Sequence, residues 1–182
     1  MGQETNVTCL ADGADNCWSI AEAIESDCRS VTCILDWFYI GMKFKNNSSA
    51  VPEELKETYD KIKWNLWHGN TDKALVRMDE ITAEISDEDS LDKLSKLRNY
   101  ISNNAEKIIN YEARKNNGLV FSSSYAESTV NNLINTRQKN KQRMTWTREG
   151  SNNILQIRSA VMSKTLNDDW KKIEKVIYYK VA

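Results

Sequence analysis

Two short apolar runs open the chain. Residues 6–10, Asn-Val-Thr-Cys-Leu, end at Asp12-Gly13, and residues 31–35, Val-Thr-Cys-Ile-Leu, end at Asp36. Short apolar runs bounded by polar or turn residues predict buried strands. Between them, residues 16–27 place Trp18, Ala21 and Ile24 at helical spacing, with Ser19 and Glu22 spaced as a capping box. Strand, helix and strand in this order predict a βαβ crossover and a parallel pair.

After a polar loop at 46–51 the period becomes helical. Pro52 stands where a first helical position tolerates it, and Leu55, Tyr59, Ile62 and Leu66 make one apolar face. Thr71 is placed to cap a second helix with Leu75, Met78, Ile81 and Ile85 inward. Ser90 is placed to cap a third, with Leu91, Leu94, Ile101, Ile108 and Tyr111 inward. A short apolar run at 118–122 leads to Ser124-Tyr-Ala-Glu127 and a helix through Val130, Leu133 and Ile134. Thr147 opens another with Ile154, Leu155, Arg158 and Val161, and residues 166–179 read as one more helix or a frayed tail.

Composition narrows the class. One proline and six glycines in 182 residues leave few turns, which argues against an all-β sandwich or barrel. Hydrophobic residues are 40% and charged residues 28%, so a folded globular chain is expected. No apolar run approaches the ~18 residues of a membrane span, and the first five residues lack the basic and apolar parts of a secretory signal. The expectation is a cytoplasmic protein with reduced thiols and no membrane partner. Cys9, Cys17, Cys28 and Cys33 form no Cys-x-x-Cys pair and His68 is the single histidine, so a cysteine metal site is not expected.

Charge is uneven. Residues 1–50 are net −4 and residues 51–112 net −5, whereas residues 113–182 carry 13 basic and 5 acidic side chains, net +8. Either the C-terminal third faces a polyanion or the two ends pack together. From Arg137 through Lys139 and Lys141 to Arg143, basic residues alternate with Gln or Asn and no acid intervenes. Such side chains bond phosphates and base edges, and Trp146 can stack, so this stretch favours polyanion binding over a solvated helix face.

Three carboxylates are candidates for chemistry. Asp12 follows a buried strand, where α/β folds place their crevices, but Asp-Gly is also a common turn. Asp36 follows the second strand and can equally cap a helix beginning at Trp37. Glu127 shares an i, i+3, i+7 face with Val130 and Ile134, and an inward carboxylate needs a cation. Its spacing from Ser124 also makes a capping box, which spacing alone favours. His68 lies in a Trp-Asn-Leu-Trp-His segment with no obvious partner to fix its tautomer. No phosphate-binding glycine loop, nucleophile elbow or zinc-protease helix is present.

Four segments, Leu10-Ala-Asp-Gly-Ala-Asp-Asn-Cys-Trp18, Ile34-Leu-Asp-Trp-Phe-Tyr-Ile-Gly-Met-Lys-Phe44, Tyr125-Ala-Glu-Ser-Thr-Val130 and Met144-Thr-Trp-Thr-Arg-Glu-Gly150, together resemble a bacterial insertion-sequence transposase of the DDE class, the ISKra-type family. The resemblance runs from about Thr5 to Trp170, in family order. It implies an RNase H-like core with a helical insertion before the last acidic residue, and a metal-dependent nuclease and strand transferase acting on transposon-end DNA. In such enzymes three carboxylates hold two Mg²⁺ ions ~3.5–4 Å apart. By resemblance Asp12 matches the second catalytic aspartate and Glu127 the closing glutamate, both metal ligands, and the segment with Trp146 and Arg148 is a DNA contact. The family's first aspartate lies upstream of the segment matched here, and Tyr39 stands where members usually carry histidine.

The resulting expectation is an α/β, mostly helical chain. It would be the C-terminal portion of an RNase H-like core with a helical insertion, its first strands missing. Residues 1–48 would be partial core, 49–117 the insertion, and 118–182 the closing catalytic helix with basic C-terminal helices. The chain would be a transposase fragment inactive alone, with DNA and a second copy or full-length transposase as partners. The alternative is a non-catalytic DNA-binding or interaction protein, such as an inhibitor of full-length transposase.

Overall fold

The structure is a computed structural model that describes residues 4–139 and 146–181, with side chains through Glu174. The described residues are mostly helical, with one small parallel sheet among them. The chain divides into two units, residues 1–123 and 124–182.

In the first unit, β1 (Asn6–Ala11) and β2 (Ser30–Leu35) pair in parallel with Cys9 opposite Cys33 and Ala11 opposite Leu35. Parallel strands need a crossover, and α1 (Asp15–Ala23) supplies it, burying Trp18 and Ala21. The helix starts at Asp15, so Ser19 and Glu22 lie inside it rather than forming its cap. The Ser19 hydroxyl instead donates back to the Asp15 carbonyl at 3.1 Å. At the carboxyl end of the sheet the Asp36 amide donates to the Ala11 carbonyl at 2.8 Å, extending the ladder by one bond.

Five helices follow: α2 (Trp37–Asn47), α3 (Lys56–Trp67), α4 (Thr71–Glu84), α5 (Glu88–Asn103) and α6 (Tyr111–Asn116). Pro52 precedes a single 3₁₀ turn, Glu53–Leu55, that leads into α3. The apolar stripes read from the sequence face inward: Ile62, Leu66, Met78, Ile81, Leu94, Ile101 and Tyr111 are buried. They form one core with Ile34, Leu35 and Ile40, so sheet tip and helices share it. Two buried phenols tie layers together. The Tyr111 hydroxyl donates to the Leu35 carbonyl at 2.6 Å and the Tyr59 hydroxyl to the Phe44 carbonyl at 2.9 Å. Burial pushes both phenols well above the usual tyrosine range, so they stay protonated donors. The apolar run at 118–122 is not a strand. Its Leu119 and Val120 are exposed, and the Arg114 guanidinium fastens it by donating to the Val120 carbonyl at 2.6 Å and to Thr8 Oγ1 at 3.0 Å.

The second unit begins with α7 (Ser124–Val130), a π-helical turn at Asn131–Asn135 and a short α8 (Thr136–Gln138). Then come α9 (Arg148–Met162) and α10 (Leu166–Val181). Thr147 caps α9 as its spacing predicts, accepting from the Gly150 amide at 3.0 Å. Arg158 of α9 donates to the Leu133 carbonyl at 2.9 Å, to the Asn132 carbonyl, and to Thr136 Oγ1 at 3.2 Å. A π turn widens the backbone and weakens its own ladder, and this guanidinium supplies donors there.

Candidate functional site

Asp12 and Asp36 follow the ends of adjacent parallel strands, at Ala11 and Leu35. That is the carboxyl edge where open α/β sheets place ligand crevices. The two carboxylates are used very differently. Asp36 is 1% exposed. One of its oxygens, Oδ1, accepts from the Phe38 amide at 2.9 Å and the Ser123 amide at 3.1 Å, and Oδ2 accepts from the same Ser123 amide at 3.2 Å. It is both the cap of α2 and a clamp on the segment that leads into α7. The neighbouring Trp37 amide donates to the Phe121 carbonyl at 3.4 Å, in the same direction. Asp36 is therefore committed to backbone donors.

Asp12 is exposed. Its Oδ1 accepts from the Ala14 amide at 3.1 Å, closing an Asx turn over Gly13, whose φ is +96°. A Cβ at position 13 would lie 2.9 Å from Tyr100 Cε2 and 3.0 Å from Asn104 Nδ2, so the turn requires glycine for space as well as for conformation. The Asp-Gly turn read from the sequence is formed, at the carboxyl edge of the sheet.

Tyr100 of α5 completes the tip. Its hydroxyl donates to the Asp12 carbonyl at 2.8 Å. Burial first, and then the negative charge of Asp12 and Asp36 and the nearby Tyr39, push this phenol well above the usual range and keep it a donor. The Lys43 ammonium of α2 lies 4.2 Å from the Tyr100 ring centroid. Beside the turn is a cavity of about 310 Å³ lined by Gly13, Ala14, Asp15, Trp18, Tyr100, Asn103, Asn104 and Lys107. Lys107 lies 5.3 Å from the Trp18 ring centroid.

Sequence reading misses Tyr100, Lys43 and Lys107. Tyr100 sits beside Ile101 on an apolar helix, and its bond to Asp12 spans 88 residues, for which no local spacing exists. His68 does have a partner: its Nδ1 is 3.2 Å from Glu112 Oε2, and Trp64 stacks on it at 6.3 Å.

Glu127 lies on α7 in the second unit and is exposed, as is Val130, so the inward apolar face expected around it is not formed. Arg137 and Lys139 are exposed at the end of α8. Lys141 and Arg143 lie outside the described residues. Trp146 is half-buried, its Nε1 buried without a hydrogen-bond partner among the described residues, and Arg148 is the exposed first residue of α9.

Carboxylate oxygens are the donors that a hard divalent cation takes. Asp12, exposed and engaged by one amide, fits that role by its chemistry, and exposed Glu127 does too. Asp36 does not, because releasing it would strand part-buried backbone amides. Among the described residues no group of three His, Cys, Asp or Glu side chains is placed to hold a metal. No helix among them is long and apolar enough to cross a membrane. No family model, curated protein or solved structure matches the chain.

Proposed function

We propose that the chain is part of a DDE-class transposase, a DNA-processing protein in which Asp12 and Glu127 are two of the carboxylates that hold Mg²⁺. The observation that carries this reading is the contrast at the sheet tip. Of two aspartates on adjacent strand ends, Asp36 is consumed by structure while Asp12 is presented to solvent in a rigid turn. A parallel pair joined by a helix, a long helical segment and then a helix bearing a glutamate is also the element order that the resemblance implies. Asp12 and Glu127 would hold divalent ions, which would supply charge stabilisation for phosphodiester exchange. The residues of the chain itself do the rest: Gly13 and Tyr100 fix the Asp12 turn, and Arg137, Lys139 and Arg148 offer cations to the DNA backbone. Two carboxylates leave a near-octahedral ion short of ligands, so end cleavage requires a further carboxylate from another segment or subunit.

The test is Mn²⁺ binding to the purified chain, followed by paramagnetic broadening of amide resonances. Broadening is expected around Asp12 and Glu127, weakened by Asp12→Asn and by Glu127→Gln, with DNA binding retained in both variants. Unaltered broadening in both variants would remove the metal assignment. Retained salt-sensitive DNA binding in that case would favour the second reading, a non-catalytic DNA-binding or inhibitory protein, which the net charge of +8 over residues 113–182 supports.

A further inference from the structure

The first unit is acidic, yet two of its lysines rest on rings around the Asp12–Gly13 turn, Lys43 on Tyr100, which bonds the Asp12 carbonyl, and Lys107 on Trp18, in the cavity beside Gly13. Four cations of this unit pair with acids, Lys56 with Glu53, Lys61 with Glu57, Lys96 with Asp92 and Arg98 with Asp79; its other lysines and arginines form no salt bridge among the described residues, and Lys115 also rests on a ring, that of Trp67. Lys43 and Lys107 form no salt bridge among the described residues and instead rest on aromatic faces, 4.2 Å from the Tyr100 centroid and 5.3 Å from the Trp18 centroid. Both are half-buried. The difference matters for chemistry. A carboxylate partner neutralises an ammonium and occupies its N–H donors, whereas a ring face attracts the charge and leaves donors for an oxygen acceptor. The rings also hold the aliphatic stems in place, so less side-chain freedom is lost when an anion arrives.

Tyr100 links the two lysines to the candidate centre. It carries Lys43 on its face, donates its hydroxyl to the Asp12 carbonyl at 2.8 Å and walls the cavity that Lys107 also lines. The cavity volume of about 310 Å³ is at the lower end of the range for small-ligand pockets, roughly 300–1,000 Å³. Its remaining polar wall is Asn103, an exposed amide, and Asn104, which is oriented by donating Nδ2 to the Tyr100 carbonyl at 2.9 Å. Asp15 is the one carboxylate among its lining residues.

We infer that Lys43 and Lys107 bind backbone phosphates of a DNA strand laid across the Asp12 turn, with the cavity beside Gly13 receiving a phosphodiester group. This deepens the DNA-processing reading, and rests on it, by assigning a substrate track within the acidic unit, separate from the basic stretch after Glu127. The track places positive charge beside the exposed carboxylate, Asp12, to which the metal reading assigns its role.

The experiment is fluorescence anisotropy of a labelled DNA duplex with the full chain across a salt series. The variants are Lys43→Met with Lys107→Met, which keep the stems and remove the charge, and Lys43→Arg with Lys107→Arg, which keep it. Two lost phosphate contacts should reduce the slope of log affinity against log salt by about 1.8, from about 0.9 per phosphate. The double arginine variant should keep the slope, and thermal melts should show both variants folded. An unchanged slope in the double methionine variant overturns the track. If Arg137→Ala with Lys139→Ala still lowers the slope in that case, DNA binding stands without it. Slope loss in the arginine variant equal to that in the methionine variant also overturns the proposal, because geometry rather than charge would then be the cause. Absence of salt-dependent binding by the unaltered chain would overturn both the track and the DNA reading, whereas the Mn²⁺ measurement at Asp12 reports on the metal assignment alone.

Discussion

At the scale of single residues, Asp12 and Asp36 show how position in a fold separates two side chains that sequence treats alike. Both follow an apolar run by one or two residues, and both have a local cap or turn role. Only Asp36 accepts from a distant amide, at Ser123, 87 residues away. That bond fixes its role as a clamp. Replacing Asp36 with Ala removes both acceptor oxygens and leaves the Phe38 and Ser123 amides without them. A part-buried amide left without its acceptor costs about 1–3 kcal/mol, so Asp36→Ala should lower the stability of the first unit by about that much. Denaturant midpoints measure the loss. Hydrogen exchange locates it: the Ser123 amide should exchange faster by more than amides in the middle of α4. Uniform acceleration across both would mean that the clamp is not where the energy resides.

At the scale of elements, much of the first unit was legible, because burial imposes periods that survive in sequence. The two strands are short apolar runs, and α3, α4 and α5 repeat apolar residues at helical spacing, as Tyr59, Ile62 and Leu66 show. Caps were less legible. Ser90 was placed to cap α5, but the cap is Asp87, whose Oδ2 accepts from the Ser90 amide at 2.9 Å. Asn70, not Thr71, precedes α4. Several polar residues cluster at each helix start, and which one turns inward depends on the approach of the preceding loop. Contacts between elements were not legible at all, Tyr100 to Asp12 and Tyr111 to Leu35 being examples, because nothing local encodes them. The Arg98–Asp79 bridge between α5 and α4 is another, and it gives a pH dependence. Its guanidinium hydrogen bonds, and then its charge, hold the Asp79 carboxyl below its ordinary value of 3.8. A depressed folded-state value stabilises above the unfolded value and is lost as pH falls through the folded one. Stability should therefore drop below about pH 4 by a term that Arg98→Gln removes. The pair is largely exposed, so the term is small. Urea midpoints of the two proteins at pH 7 and pH 3 measure it, and an equal gap at both values would show that the bridge contributes through packing alone.

At the scale of the whole molecule, the two units differ in what holds them. All 21 buried hydrophobic residues among those described fall between Ala11 and Tyr111. Burying a large aliphatic side chain fully contributes about 1.5–3 kcal/mol, so the first unit has a large favourable term to set against its chain entropy. In the second unit no described side chain is buried, and Ile157, Val161, Trp170 and Ile173 are more than half exposed. Its apolar side chains are at most half-buried, and hydrogen bonds tie its helices: the Arg158 bonds to the π turn, and Gln138 Nε2 donating to Ser151 Oγ at 2.7 Å. Half-exposed hydrogen bonds contribute about 1 kcal/mol each, too little to match a core. The helical signal should accordingly melt in two steps, with α9 amides exchanging through openings of much lower free energy than α5 amides. Arg158→Gln assigns the steps. It should lower the first midpoint and leave the second unchanged, since among the described residues Arg158 donates within residues 132–136. Circular dichroism and hydrogen exchange on the full chain provide both readings. A single transition seen alike by both probes, shifted as a whole by Arg158→Gln, would mean that the two units fold as one cooperative body and that the apolar faces of α9 and α10 are covered in solution.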